Sequence, residues 1–473
     1  MPTSAAPRLH PSLEWLNADA QTIEAQHGRV VALVFWNASS AYCHNLLDQM
    51  RALKARYPLA LAVLGVHQPK FDAEVDGRTV LKALNRLKVG FPVANDRGWV
   101  TWQHYGITRW PAVALIDPMG NLREVFSGDD QAAAIDAGIA ALVDEVGGIS
   151  SLPPDDDGLR NAEPRLALSF PSGLAVTDGH LYVADSGHHR ILECTFEGRV
   201  LRQFGTAHPA MVDGPATEAA FSHPRGLCVM REWLYVADSG NHAIRRIQLL
   251  DGTVETVLGN GRPGQPKEAR YQQSGECPLN QPWALVGAND RLFMALAGCN
   301  QVWEYDLSHK YMRFIAGNGE IGIADGPGRN ALFAHPAALA LVQQTLYVAD
   351  SASSAVRVVQ LQQATVQTLV GQGLYDFGDA DGTRSAASLQ YPLALALDPA
   401  APVLWIADGY NGTLRKLRLG GGDVTTHPLA HALVQPCALA MGGGALWIAD
   451  ASAHEVLRHD LDTGVLARVP VGE

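Results

Sequence analysis

Cys43 stands three residues after Ser40 in the stretch 30–47, VVALVFWNASSAYCHNLL. A thiol near the start of a helix is a common source of a thiolate nucleophile. Free backbone N–H groups and the positive end of the helix dipole gather there and stabilise the anion. Ser40 is placed to support such a thiolate. Exchange with a disulfide needs a second thiol to resolve the mixed intermediate, and a serine hydroxyl does not attack at neutral pH without an activating base. The pair therefore points to single-thiol chemistry at most.

The elements around the pair are legible in the pattern. Residues 30–36 form a continuous apolar, β-rich run, the signature of a strand buried on both faces. A short polar turn, 37–40, follows. Leu46, Leu47, Met50, Leu53 and Ala55 then recur at helical spacing. Further along, 59–67 reads as a second buried strand and 76–88 as an amphipathic helix with Val80, Leu81, Leu84 and Leu87 on one side. Residues 112–117 and 122–126 read as strands separated by the turn 118–121, and 132–146 as a helix. Strands and helices alternate over 11–147, an α/β pattern.

This layout resembles the thioredoxin superfamily, whose motif reads Phe-Trp, three residues, then CxxC. Phe35 and Trp36 match the first pair, Ser40 falls on the nucleophilic cysteine and Cys43 on the resolving one, so the chain reads SxxC. Many thioredoxins carry a buried acid just before Phe-Trp that moves the proton, and Val34 occupies that place. The resemblance thus implies that ordinary dithiol exchange is lost. It also implies that Pro111 is a cis-proline whose backbone neighbourhood, with Trp36 and Trp110, pairs with an extended peptide. The stretches 65–71, 91–96 and 102–106 resemble the thioredoxin-like domain of the NHL-repeat-containing proteins that fuse this domain to a propeller. That family usually carries CCxxC, so Ser39 and Ser40 replace two cysteines.

Two other readings of Cys43 follow from its neighbours. Peroxiredoxins also place Ser or Thr three residues before their reactive cysteine, but they add a proline seven before it, where this chain has Trp36. Their arginine would fall on Pro111, with Arg109 near but off register. Alternatively Cys43 is a small apolar residue on the inner side of a helix, since cysteine is among the residue types most often fully buried.

Residues 148–164, rich in Gly, Pro, Ser and Asp, read as a linker. Everything after them, 165–473, repeats. A proline opens each unit: Pro171, Pro224, Pro282, Pro336, Pro392 and Pro436. A leucine follows three residues later, then a Leu-aromatic pair, then Ala-Asp in every unit except the third, which has Ala295-Leu296. Six such units, 42 to 58 residues apart at equivalent positions, imply an all-β, six-bladed β-propeller. The motif, as in 234–242 (LYVADSGNH), resembles the NHL repeat.

The recurrent Asp is expected to close the turn that follows it, because every blade needs a turn and a single active site does not need five acids. Asp213-Gly214, Asp325-Gly326 and Asp381-Gly382 are read as turns that echo each other. His223 and His335 precede blade prolines and are read as structural or rim residues rather than as channel ligands for a metal. Arg190, Arg245, Arg246, Arg357 and Arg415 recur near the third strand and are read as a solvated surface.

Bulk properties bound the rest. The chain has 473 residues, 47% hydrophobic and 18% charged, with 46 Gly, values of a globular protein rich in turns. A net charge of −12 argues against a nucleic-acid partner held by phosphate contacts. Six scattered cysteines show no metal-ligand spacing and fit reduced thiols in a reducing compartment. The first 17 residues lack an apolar core and no run of about 20 apolar residues occurs, so no membrane association is expected and the cytoplasm is the default. No cofactor and no metal are expected. The partner expected is a protein or peptide, held by the propeller face or the cis-Pro groove.

Overall fold

The computed structural model describes residues 4–145, 159 and 166–472, and the chain divides into two compact units, Met1–Pro164 and Arg165–Glu473. The expected linker, 148–164, lies outside the described residues except for Leu159.

In the first unit a sheet carries helices on its faces. Its strands are β1 (Val30–Trp36), β2 (Leu61–His67), β3 (Val93–Asn95), β4 (Ala112–Ile116) and β5 (Asn121–Ser127), in the order β5-β4-β1-β2-β3. β1, β2 and β3 run parallel, and β4 and β5 antiparallel to their neighbours. Two-residue strands at Ser4–Ala5 and Glu14–Trp15 extend the two edges. β1 and β2 are buried at every position, as unbroken apolar runs require when both faces are covered. The helices are α1 (Ala41–Arg56), α2 (Gly77–Arg86), α3 (Val100–His104) and α4 (Ala132–Glu145). α2 is shorter than the pattern 76–88 because Asp76 caps its start, its side chain accepting from the Arg78 N–H, and Lys88 turns left-handed, φ 51°, just past its end. Two apolar layers, one on each face, share the sheet: Val34, Trp36 and Cys43 lie in one, and Phe35 and Trp102 in the other.

The second unit is a six-bladed β-propeller. Each blade is built from four consecutive antiparallel strands, and the blade prolines open the first strand of each: Pro171–Val176, Pro224–Met230, Pro282–Ala288, Pro336–Val342, Pro392–Leu397 and Pro436–Gly442. Blades three and four gain a fifth, two-residue strand at Ala269–Arg270 and Gly326–Pro327. The first strand bulges just after each proline.

The second residue after each proline is always Gly or Ala, because neighbouring first strands nearly touch. A Cβ on Gly173 would lie 1.9 Å from the Arg225 carbonyl oxygen. The aromatic of one blade packs with the leucine of the next: Tyr182 with Leu227, Tyr235 with Leu285, Phe293 with Leu339, Trp405 with Leu439. Trp447 of blade six packs with Leu174 of blade one, which closes the ring. Blade six draws its outermost strand, Leu466–Val469, from its own segment, so no strand is exchanged between the chain ends. Among the described residues no helix is long and apolar enough to cross a membrane.

Candidate functional site

Ser40 and Cys43 arrive where strand, turn and helix place them. Ser40 is the N-cap of α1 in an extended conformation, and its hydroxyl oxygen accepts from the Cys43 N–H at 3.4 Å. Cys43 lies in the first helical turn and is wholly buried. Its sulfur accepts from the Asn37 backbone N–H at 3.3 Å. Burial nevertheless dominates and pushes the thiol up to about 12, against the lowering effect of the Ser40 and Asn37 hydrogen bonds. Asp129 and Glu74 add negative potential in the same direction. Burial thus opposes the thiolate that the helix terminus favours, in line with the alternative that Cys43 is a small apolar residue on the inner side of the helix. The helix terminus is present, but the desolvation of an anion outweighs it.

The sequence pattern missed the polar group beneath the motif. The Asn37 side-chain amide donates to the Gln68 carbonyl and to the Glu74 carboxylate, both at 2.8 Å. Glu74 is fully buried and also accepts from the Lys70 and Phe71 N–H groups. With Val34 in the usual acid position, a buried carboxylate still reaches the cysteine, one residue removed, from the loop after β2. The available signal was the asparagine directly after Phe-Trp; a buried amide needs partners.

The Trp110–Pro111 peptide bond is cis. Trp110 is half-buried, packs against the cluster that holds Trp36 and Cys43, and its indole N–H donates to the Gln68 side chain at 3.3 Å. Trp36 itself is fully buried, its ring edge-on to His67 at 5.0 Å, so it supports the floor and does not line a groove. The half-exposed partner of Trp110 is Trp99, with ring centroids 5.1 Å apart, and Trp102 lies 5.3 Å from both. Trp99 adopts a left-handed conformation, φ 59°. Arg109 is exposed and donates to the Ser127 carbonyl.

In the propeller the recurrent residues form a different constellation from the one expected. Asp185, Asp238, Asp350 and Asp408 each accept, at 2.7 Å, a backbone N–H from the segment leading into their own blade (Ser169, Ser222, Ala334, Gln390). The bond thus fastens the blade entry, and the following turn is held as well, through the side chains of Asn241, Ser353 and Asn411 donating to Asp238, Asp350 and Asp408 rather than through the turn's backbone N–H groups. Arg245, Arg357 and Arg415 are almost wholly buried, not solvated. Each joins the blade Asp to the Asp-Gly loop: Arg245 to Asp238 and Asp213, Arg357 to Asp350 and Asp325, Arg415 to Asp408 and Asp381.

A threonine completes each set. The Thr256, Thr368 and Thr426 hydroxyls donate to the same loop aspartates. The signal was the spacing, Arg always seven residues after the Asp and Thr eleven after the Arg. Arg190 pairs with Asp185, and Arg246 with Glu255.

His223 and His335 have positive φ, and their backbone N–H groups donate to His189 Nδ1 at 3.1 Å and Asn300 Oδ1 at 2.9 Å, the last residues of the preceding blade's turn. Among the described residues no group of three or more His, Cys, Asp or Glu side chains is arranged to hold a metal.

Comparison with known proteins agrees with these two architectures. The NHL repeat family profile matches residues 168–194. NHL repeat-containing protein 2 of Gallus gallus is 29% identical over 98% of this chain and 71% of its own length. This chain is an NHL-repeat protein that joins a thioredoxin-like domain to a six-bladed β-propeller. The NHL-repeat chain is also 31% identical, over 88% of its length, to the protein SUPPRESSOR OF QUENCHING 1, chloroplastic, of Arabidopsis thaliana, but it spans only 41% of that relative. Its N-terminal part resembles Protein DipZ of Mycobacterium tuberculosis (strain CDC 1551), 28% identical over 35% of this chain and 24% of DipZ.

Proposed function

We propose that this NHL-repeat protein is a binding or scaffold protein whose thioredoxin-like domain has given up dithiol exchange. The observation that carries the reading is Cys43: wholly buried, pushed up to about 12 by desolvation, and paired with Ser40 where exchange needs a thiol. The binding surface is the half-exposed Trp99–Trp110 pair beside the cis Trp110–Pro111 bond, suited to an extended peptide with apolar side chains. The propeller face offers a second surface for a protein partner. All six cysteines are free, which supports a reducing compartment such as the cytoplasm.

The test is iodoacetamide labelling of the native protein between pH 6 and 10, with peptide mass spectrometry to resolve Cys43 from the half-buried Cys228 and Cys437. The reading expects no adduct on Cys43 until denaturant is added. A Cys43-specific rate with a midpoint below the unperturbed ~8.5, together with sulfenic acid after peroxide, would sink it. Single-thiol redox or peroxide reduction at Cys43, supported by Ser40, would then be the function.

A further inference from the structure

Blades five and six meet at a pair of histidines that the binding reading does not use. His427 ends the outermost strand of blade five, Val424–His427, and His459 lies in the third strand of blade six, Glu455–Asp460. Their Nε2 atoms face each other at 2.8 Å. His459 is 3% exposed, whereas His427 is half-buried and gives solvent a route to the pair. Both rings stand edge-on to Trp405, at 4.9 Å and 6.4 Å between centroids.

We propose that His427 and His459 form a two-imidazole site for a divalent transition metal, zinc or copper, that clips blade five to blade six, with water completing the shell. A tetrahedral zinc with Zn–N bonds of about 2.0–2.1 Å holds two nitrogens ~3.3 Å apart. The pair therefore needs to open by only about 0.5 Å, within reach of one side-chain adjustment. Imidazole nitrogen is a preferred donor for zinc and copper, and each ring must present a neutral nitrogen.

Burial lowers His427 to about 4 and lowers His459 as well, with the Lys416 ammonium as the second cause for both. Both rings are thus neutral near pH 7; one Nε2–H donates to the other Nε2 at 2.8 Å, and metal binding requires that ring to shift to its Nδ1–H tautomer. Lys416 sits over the Trp405 ring at 4.3 Å and also repels a bound dication, while the Asp460 carboxylate acts on His459 in the opposite sense. Two ligands and a nearby cation imply a weaker affinity than that of a closed four-ligand site.

The experiment titrates the full chain with Zn²⁺ and with Cu²⁺ at pH 7.5, reading heat by calorimetry and tryptophan fluorescence for Trp405, with copper EPR to count nitrogen donors. His427→Ala and His459→Ala are made separately, and circular dichroism checks that each folds. The site predicts one equivalent of copper with two imidazole nitrogens, and weakening by roughly tenfold or more in both variants. No binding up to millimolar metal would overturn it, and so would binding unchanged in either folded variant. If a variant does not fold, raising wild-type copper EPR samples from pH 7.5 to 9 and lowering them to 4 decides the matter. Two-nitrogen signals must hold at high pH and weaken as the pH nears 4, where His427 begins to take up its proton, and their absence throughout rejects the site.

Discussion

Blades two, four and five solve with charge what blade three solves with apolar surface. In blade four, Asp350 and Arg357 are both fully buried, and the guanidinium continues to Asp325. In blade three the same two places hold Leu296 and Trp303, which share one apolar cluster. The four blades nonetheless have the same strand order and the same bulge after the proline. An ion pair inside a blade is therefore not what makes the blade. Burying two charges costs solvation that their attraction about offsets, so an apolar pair of matched volume serves as well. What differs is tolerance: an ionic blade is fragile to loss of one partner, and the apolar blade has no such weakness.

The sharpest break of this symmetry is Arg357→Ala. It strips Asp350 of its guanidinium and leaves the Leu332 and Ala324 carbonyls without their donor. A loss of 3–5 kcal/mol, roughly, is expected for an uncompensated buried charge, measured as the urea midpoint of the full chain followed by far-ultraviolet circular dichroism. A loss below about 1 kcal/mol would place the pair among weak surface bridges.

Acid separates the blade seams in the same way. His242 Nδ1 accepts the Gln281 N–H across the seam between blades two and three, where Asn300 Oδ1 and Ser354 Oγ do the same work at later seams. Burial lowers His242 to about 4. Unfolding raises it to the ordinary ~6.5, so the unfolded chain binds the extra proton between these values. Stability from this group is complete above pH 6.5 and is lost as pH falls toward 4, by up to about 3 kcal/mol. His242→Asn should flatten that part of the stability–pH curve; an unchanged acid limb would show that other groups control it.

The mildest test rebuilds blade four in the image of blade three, as Asp350→Leu with Arg357→Trp. The double variant should cost on the order of 1–2 kcal/mol, less than Arg357→Ala alone, because no charge stays buried. The remainder reflects the Ala334 N–H, which loses its acceptor. A double variant worse than the single one would mean that Leu296 and Trp303 work only in blade three's own packing.

The thioredoxin-like and propeller architectures were legible because their signals are local or repeated. β1 is one apolar run, and the blade proline, leucine and aromatic return six times in phase. The buried arginines were misread because a charged side chain is normally solvated and its rescue lies far along the chain: Asp213 is 32 residues from Arg245. The same distance hid Glu74, 37 residues from the Asn37 amide it accepts from. Trp36 was misplaced for the converse reason, since its motif position says nothing about which face of β1 it fills.

By itself, the sequence determined that a helix start would carry Ser40 and Cys43, that no second thiol stands beside them, and that six like units would follow. Periodicity, capping and residue identity are properties of neighbours along the chain, and they need no knowledge of the fold. Packing alone settles that Cys43 is wholly buried, that three arginines are internal clamps, and that His427 and His459 meet. Each of these depends on how much water the packed chain leaves around a polar atom and on what it brings within 3 Å, and neither quantity is local.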